Sequence, residues 1–250
     1  MSNLIRGSFI GTTLLQSSRV IGGAKSVFVK LGGDKDDLIF PTHGGVLKNP
    51  FKGAAKIFAG DLFEYKPDAN GQKPELTLLK TYLVKSQSTT KVVIYKDGYK
   101  HVPFVGDVLM KAPATIGGTG KAYAVTAVNI DANGNWELTF STAIDTVSDG
   151  DVLVEAVEAG ASKAMLVKQI NAVAPCDYDC FYEPAASSSD WEGARYMLAP
   201  ALRATMYTKR MSPMPACVSV LNKCDVNGWF RVDALAAPSL AGRVEALENA

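Results

Sequence analysis

Short apolar runs, cut by Gly-Asp and Asn-Gly pairs, fill the middle of this 250-residue chain and leave it little choice but β-structure. The clearest run is 135–141, where Trp136, Leu138 and Phe140 alternate with Glu137 and Thr139. That period of two is the signature of a strand with one buried face. Burying those three side chains contributes roughly 1.5–3 kcal/mol each before conformational entropy opposes it. Tyr123, Val125 and Ala127 alternate in the same way over 121–129, and the turn Asp131-Ala-Asn-Gly134 joins the two runs. Asp97-Gly98 lies between 91–96 and 99–104 and predicts a tight hairpin there. Gly60-Asp61, Gly106-Asp107 and Gly150-Asp151 each precede an apolar run, which reads as one strand-starting device used three times. Short strands with turn signals at roughly 8–12-residue spacing predict a mainly β protein, built as a small barrel or sandwich.

Charge narrows the function classes. The net charge of +1 supplies no overall field toward nucleic acid or a membrane surface. No run approaches the roughly 18 apolar residues needed to span a bilayer. The charges are nevertheless segregated. Five lysines and one acid lie between Lys80 and Lys100; seven acids and no Lys or Arg lie between Asp131 and Glu158. The two runs read either as solvated faces or as basic and acidic patches that steer one subunit onto another. The opening residues lack the apolar core of a secretory signal. Cys176, Cys180, Cys217 and Cys224 are too few for a disulfide scaffold in a chain this long. The expectation is four reduced thiols in a protein that folds in cytoplasm.

Along the chain, 1–25 reads as an extended arm, with Phe9, Ile10, Leu14 and Leu15 as candidate contacts to a neighbour. A β-rich region over 26–90 follows, with a strand at 27–31 and an irregular, Gly-rich 41–50. The stretch 87–90 reads as a linker and marks the boundary to a second barrel or sandwich over 91–233. Within that region 161–173 fits helix or strand, with strand the preferred reading, while 202–208 and 216–221 are read as closing strands. The end, 234–250, carries a short helix: Pro238-Ser239 starts it, and Leu240, Val244 and Leu247 share one face. The long loop 175–191 holds Tyr178, Phe181, Tyr182 and Trp191, which either contact a glycan or protein or staple the loop to the core.

Several motifs resemble chemistry without completing it. Gly117-Gly-Thr-Gly-Lys121 lacks the phosphate-loop pattern, because Thr115 and Ala122 stand where Gly and Ser/Thr are needed. The four cysteines, with three and six residues between the members of each pair, do not have zinc-knuckle spacing. Asp131-Ala-Asn-Gly-Asn135 opens like a calcium loop but places Trp136 at the obligatory glycine. His43 and His101 have no companion at ligand or triad spacing. No metal and no cofactor is expected.

A resemblance adds to this reading. The segment Tyr95-Lys-Asp-Gly-Tyr-Lys-His-Val-Pro-Phe-Val-Gly-Asp-Val-Leu-Met110, the Gly-Thr-Gly connection, Trp136-Glu-Leu-Thr-Phe140 and Gly150-Asp-Val-Leu-Val154 resemble virion structural proteins of tailed bacteriophages. So does Arg210-Met-Ser-Pro-Met-Pro-Ala-Cys217. The likeness is to capsid-attached β-domains, namely decoration, auxiliary and head-fibre proteins, including those of crAss-like phages, and it spans about 90–225. It implies a non-enzymatic component of the virion, made in host cytoplasm and bound to the major capsid protein and other virion proteins. It also implies a homo-oligomer, dimer or trimer, because repeated lattice sites favour repeated partners. Neither nucleic acid nor membrane is an implied partner. Two rivals stand beside it: a receptor- or glycan-binding module using the 178–191 aromatics, and a hydrolase with paired carboxylates.

Overall fold

The three Gly-Asp pairs make one and the same turn in the computed structural model, which describes residues 44–66, 74–96, 100–180, 197–202 and 211–218. Gly60, Gly106 and Gly150 all sit at a φ of 87°, a left-handed conformation that glycine holds without a Cβ penalty. Each aspartate carboxylate accepts the backbone N–H three residues back: Phe58 to Asp61 at 2.7 Å, Phe104 to Asp107 and Ser148 to Asp151 both at 2.8 Å. Each pair also lies opposite a single residue of the next strand. The Gly N–H and the Asp carbonyl both bond Ala174, Val125 or Val84 in turn. Two residues against one, with glycine first, is a β-bulge that bends and twists the strand it starts.

All regular structure among the described residues is strand. The first four are β1 (Gly45–Leu47), β2 (Ala55–Ile57), β3 (Leu62–Lys66) and β4 (Glu75–Leu78). Then come β5 (Thr81–Ser88), β6 (Lys91–Ile94), β7 (Val108–Lys111), β8 (Thr119–Ile130) and β9 (Trp136–Phe140). The last are β10 (Val152–Glu155), β11 (Gly160–Ala164), β12 (Ala172–Val173), β13 (Tyr178–Cys180) and β14 (Met197–Leu198). The Gly-Asp bulges start β3, β7 and β10.

The larger sheet closes on itself. Its order is β11-β8-β7-β10-β5-β6-β9, and β9 pairs again with β8. The long β8 makes closure possible. Val125 N–H bonds Asp107 C=O toward β7, while Ala124 C=O accepts Ser141 N–H on the opposite edge. A register shift between Val125 and Ala127 turns the strand from one partner to the other. Every pairing round the ring is antiparallel. Tyr82, Val84, Ile94, Leu109, Leu138 and Leu153 are among the side chains that fill the interior. Closure removes the open edges that make flat sheets prone to aggregate.

The smaller sheet runs β12-β3-β4-β1-β14, with β1 and β4 parallel and the rest antiparallel. It also curls back, through a bridge in which Val173 and Ala201 exchange both backbone bonds at 2.9 and 2.8 Å. Leu47, Phe63, Leu76, Leu78, Ala172 and Leu198 pack together as its own core. A third cluster lies between the two sheets. Val152, Val154 and Met110 point out of the barrel onto Leu62, Leu79, Met165 and Val167. The strand β10 is therefore buried on both faces, Leu153 inward and its valines outward, which is why it reads as an unbroken apolar run.

Some expectations change. The stretch 87–90 is not a linker: it is the turn of the β5–β6 hairpin, with Thr89 at φ 52°. A boundary at 90 would cut through the barrel wall. Asp97-Gly98 does not join two paired strands, since β6 pairs with β5 and β9 and residues 100–107 carry no strand. The irregular 41–50 stretch contains β1. Residues 216–218 form a turn, closed by Val218 N–H on Pro215 C=O, and not the start of a strand. Of the 161–173 stretch, the two ends are strand, β11 and β12, while 165–171 between them is irregular. The arm 1–25, the strand at 27–31, most of 202–208 and the helix at 234–250 lie outside the described residues.

Two outcomes follow from the bulges. A Cβ at Gly150 would meet nothing within 4 Å, so Gly150→Ala should cost backbone strain alone, about 1–2 kcal/mol, read as a lower urea midpoint at unchanged m-value. The Asp151 carboxyl is held below the usual range, first by its bond from Lys111 and then by Ser148 N–H. A depressed folded value means stability that is full above the unfolded carboxylate value of about 3.9 and drains away as pH falls through the folded one. Acid titrations of wild type and Asp151→Asn should therefore differ above about pH 4 and converge below it.

Candidate functional site

Polar groups gather where the two sheets meet, and most of them are inside. His101 and Asp61 are fully buried, with Nε2 and Oδ2 2.9 Å apart. Thr81 N–H donates to His101 Nδ1 at 3.0 Å. With Nδ1 acting as acceptor, the ring proton sits on Nε2 and is donated to Asp61. The same carboxylate oxygen accepts Phe58 N–H, and Ser212 Oγ donates to the other oxygen at 2.6 Å. The Gly60-Asp61 turn thus ties together the small sheet, the barrel strand β5 and the segment 211–218. Ser, His and Asp are all present, but their order is not that of a nucleophilic triad. The serine bonds the aspartate, and the imidazole nitrogen that would take a proton is held by a backbone amide.

A second cluster lies beside it. Lys80, 1% exposed, places Nζ 3.2 Å from Glu155 Oε2 and 3.2 Å from Pro50 C=O. Asn49 donates Nδ2 to the same Glu155 oxygen at 2.7 Å. The Asn49 amide also pairs both ways with the Leu78 peptide, Oδ1 accepting N–H at 2.7 Å and Nδ2 donating to C=O at 2.9 Å. A side-chain amide here extends the β1–β4 ladder by one rung. Phe51 connects the clusters: Lys80 Nζ lies 4.9 Å over its ring, and the ring packs 5.7 Å from the His101 imidazole. Lys80 sits in the short link between β4 and β5, and Glu155 ends β10, so the cluster spans the junction of the two sheets. Close by, burial, then Asp107 and Glu155, pushes the Tyr82 phenol well above its ordinary value.

Two lysines of the basic run, Lys80 and Lys91, pair with Glu155 and Glu137 of the acidic run. Every acid from 131 to 158 has a partner within the chain. Glu137 pairs with Lys91, Asp145 with Lys121, Asp151 with Lys111, Glu155 with Lys80 and Glu158 with Lys163. Asp149 accepts the Tyr95 hydroxyl at 3.0 Å. Asp131 Oδ1 accepts the Asn135 N–H and then that of Asn133 in its own turn, which holds its carboxyl low, the Asn135 bond first. Lys96 lies 4.3 Å over the Trp136 ring, and Lys85 and Lys100 lie 5.9 and 5.3 Å from that of Tyr95. Where the phosphate-like loop enters β8, Lys121 N–H is bonded to a carboxylate, Asp145, at 2.8 Å.

Of the aromatics expected to make contacts, Tyr178 is the one described. It lies on β13, paired with β2; its ring packs on the core of the small sheet and its hydroxyl donates to Ala199 C=O at 2.9 Å. That is the staple arrangement. Burial raises its phenol far above the ordinary value. Phe181, Tyr182 and Trp191 lie outside the described residues, as do Phe9, Ile10, Leu14, Leu15 and His43. Cys176 and Cys217 are buried, and burial pushes the Cys176 thiol above its normal value. Among the described residues no three His, Cys, Asp or Glu side chains are placed to hold a metal, and no helix is long and apolar enough to cross a membrane.

With this geometry in view, no family model, no curated protein and no solved structure matches the chain.

Ser212→Ala removes the hydroxyl that donates to Oδ1 of the buried Asp61 carboxylate, while Phe58 N–H and His101 Nε2 remain on Oδ2. It should lower unfolding stability by about 1.5–3 kcal/mol, the range for hydrogen bonds to charged groups, measured by urea denaturation.

Proposed function

We propose that this chain is a non-enzymatic structural protein of a tailed-phage virion, an auxiliary (decoration) or head-fibre component that binds the capsid and acts through protein contacts. The observation that carries the reading is how the groups able to do chemistry are used. His101, Asp61 and Ser212 are each bonded to one another or to backbone at the meeting of two curled sheets. Such bonding serves rigidity. The likeness of 95–154 and 210–217 to capsid-attached β-domains supplies the setting. The partners proposed are the major capsid protein, other virion proteins and further copies of this chain, as a dimer or trimer.

The test is the location and copy number of the chain in purified particles, by quantitative mass spectrometry and labelled cryo-electron microscopy. The expected result is a fixed copy number at symmetry-related sites on the head. Purified particles that lack the chain, with the protein confined to the infected-cell lysate, would overturn the proposal.

A further inference from the structure

The Lys80–Glu155–Asn49 cluster contains the parts of a condensation reaction, and we propose that Lys80 and Asn49 join in an intramolecular isopeptide bond with Glu155 as the proton carrier. This does not depend on the virion reading. An amine and a carboxamide share one carboxylate oxygen, 3.2 Å from Lys80 Nζ and 2.7 Å from Asn49 Nδ2. A base that touches both the nucleophile and the leaving group can take a proton from one and give it to the other. The amide oxygen is already held by Leu78 N–H at 2.7 Å, which stabilises the negative charge that builds there on attack. Lys80 is 1% exposed and Asn49 9%, and the Phe51 ring lies against the amine. Holding the groups together in a water-poor site replaces a bimolecular encounter by an internal one.

The atoms balance without any co-reactant. Glu155 takes a proton from the Lys80 ammonium, and neutral Nζ attacks Asn49 Cγ. The new Cγ–Nζ bond forms as the Oδ1 carbonyl becomes an oxyanion. Glu155 returns its proton to Nδ2, the Cγ–Nδ2 bond breaks, and ammonia leaves. The carboxylate then removes the remaining extra proton from Nζ, leaving a neutral secondary amide. The product links the loop after β1 to the β4–β5 junction covalently, at the point where the small sheet passes into the barrel.

The experiment is the intact mass of the purified full-length chain, followed by peptide mapping of the denatured protein. The expected result is a mass short of the sequence by one ammonia, allowing for removal of the first methionine. A branched peptide should join Asn49 to Lys80. A chain at its full sequence mass overturns the proposal. So does an ammonia loss that maps to a succinimide at an Asn-Gly pair such as Asn133-Gly134. Glu155→Gln, with its β circular dichroism spectrum retained, should regain the ammonia; if the branched peptide persists in that variant, Glu155 is not the proton carrier. Because the wild-type mass decides the existence of the bond, a variant that fails to fold does not protect the idea.

Discussion

The carboxylate of Glu155 ties the two sheets at the point where the chain passes from one to the other. It reaches from the end of a barrel strand to a lysine in the link between the sheets and an amide beside β1. Taking an ammonium and a carboxylate out of water is costly, and the attraction between them offsets this only with good geometry and further bonds on the remaining protons. Both conditions are met here: Pro50 C=O accepts from the amine, and the Asn49 amide is saturated by Leu78 and Glu155. Removing either member of such a pair strands the other, which costs about 3–5 kcal/mol. The neighbouring His101–Asp61–Ser212 cluster fixes the same junction by other means. Rigidity at this junction is electrostatic and directional, where the packing of valines and methionines alone would let one sheet slide on the other.

The turns supply the second constraint. A closed ring of six strands needs bends at defined places, and the Gly-Asp bulge provides them at the start of β7 and β10, as it does for β3 in the smaller sheet. The device satisfies its own backbone groups. Glycine takes the left-handed backbone, the aspartate caps the amide three residues back, and the neighbouring strand fills both remaining bonds. No rung of the ladder is left unpaired where the strand bends. With the turns self-contained, most of the remaining acids and lysines are free to pair across the barrel wall.

Much of the fold was legible because it depends on local rules. Trp136, Leu138 and Phe140 alternate, and the structure packs Leu138 and Phe140 inside with Trp136 against them. Asp131–Gly134 is a turn by its residue types and closes β8 onto β9. The errors came where local rules compete with distant ones. Thr89 turns a hairpin without the Gly or Asn that normally signals one, so 87–90 looked like a linker. Asp97-Gly98 carries the signal, yet the residues after it are drawn into the junction by His101. The polar seam could not be read at all. Lys80 looked like a member of a solvated basic run, because its partner Glu155 is 75 residues away.

The sequence by itself determined that this is a β protein, where its strands bend, and which faces are apolar, since strand period and turn chemistry act over a few residues. Only the tertiary structure decided that the larger sheet closes into a barrel, that Lys80 and Lys91 of the basic stretch pair with acids of the acidic one, and that a lysine, a histidine and an aspartate are buried at the junction of the sheets. Those outcomes turn on Coulomb attraction and desolvation between groups far apart in sequence, and such terms have no value until the chain brings the groups within a few ångströms.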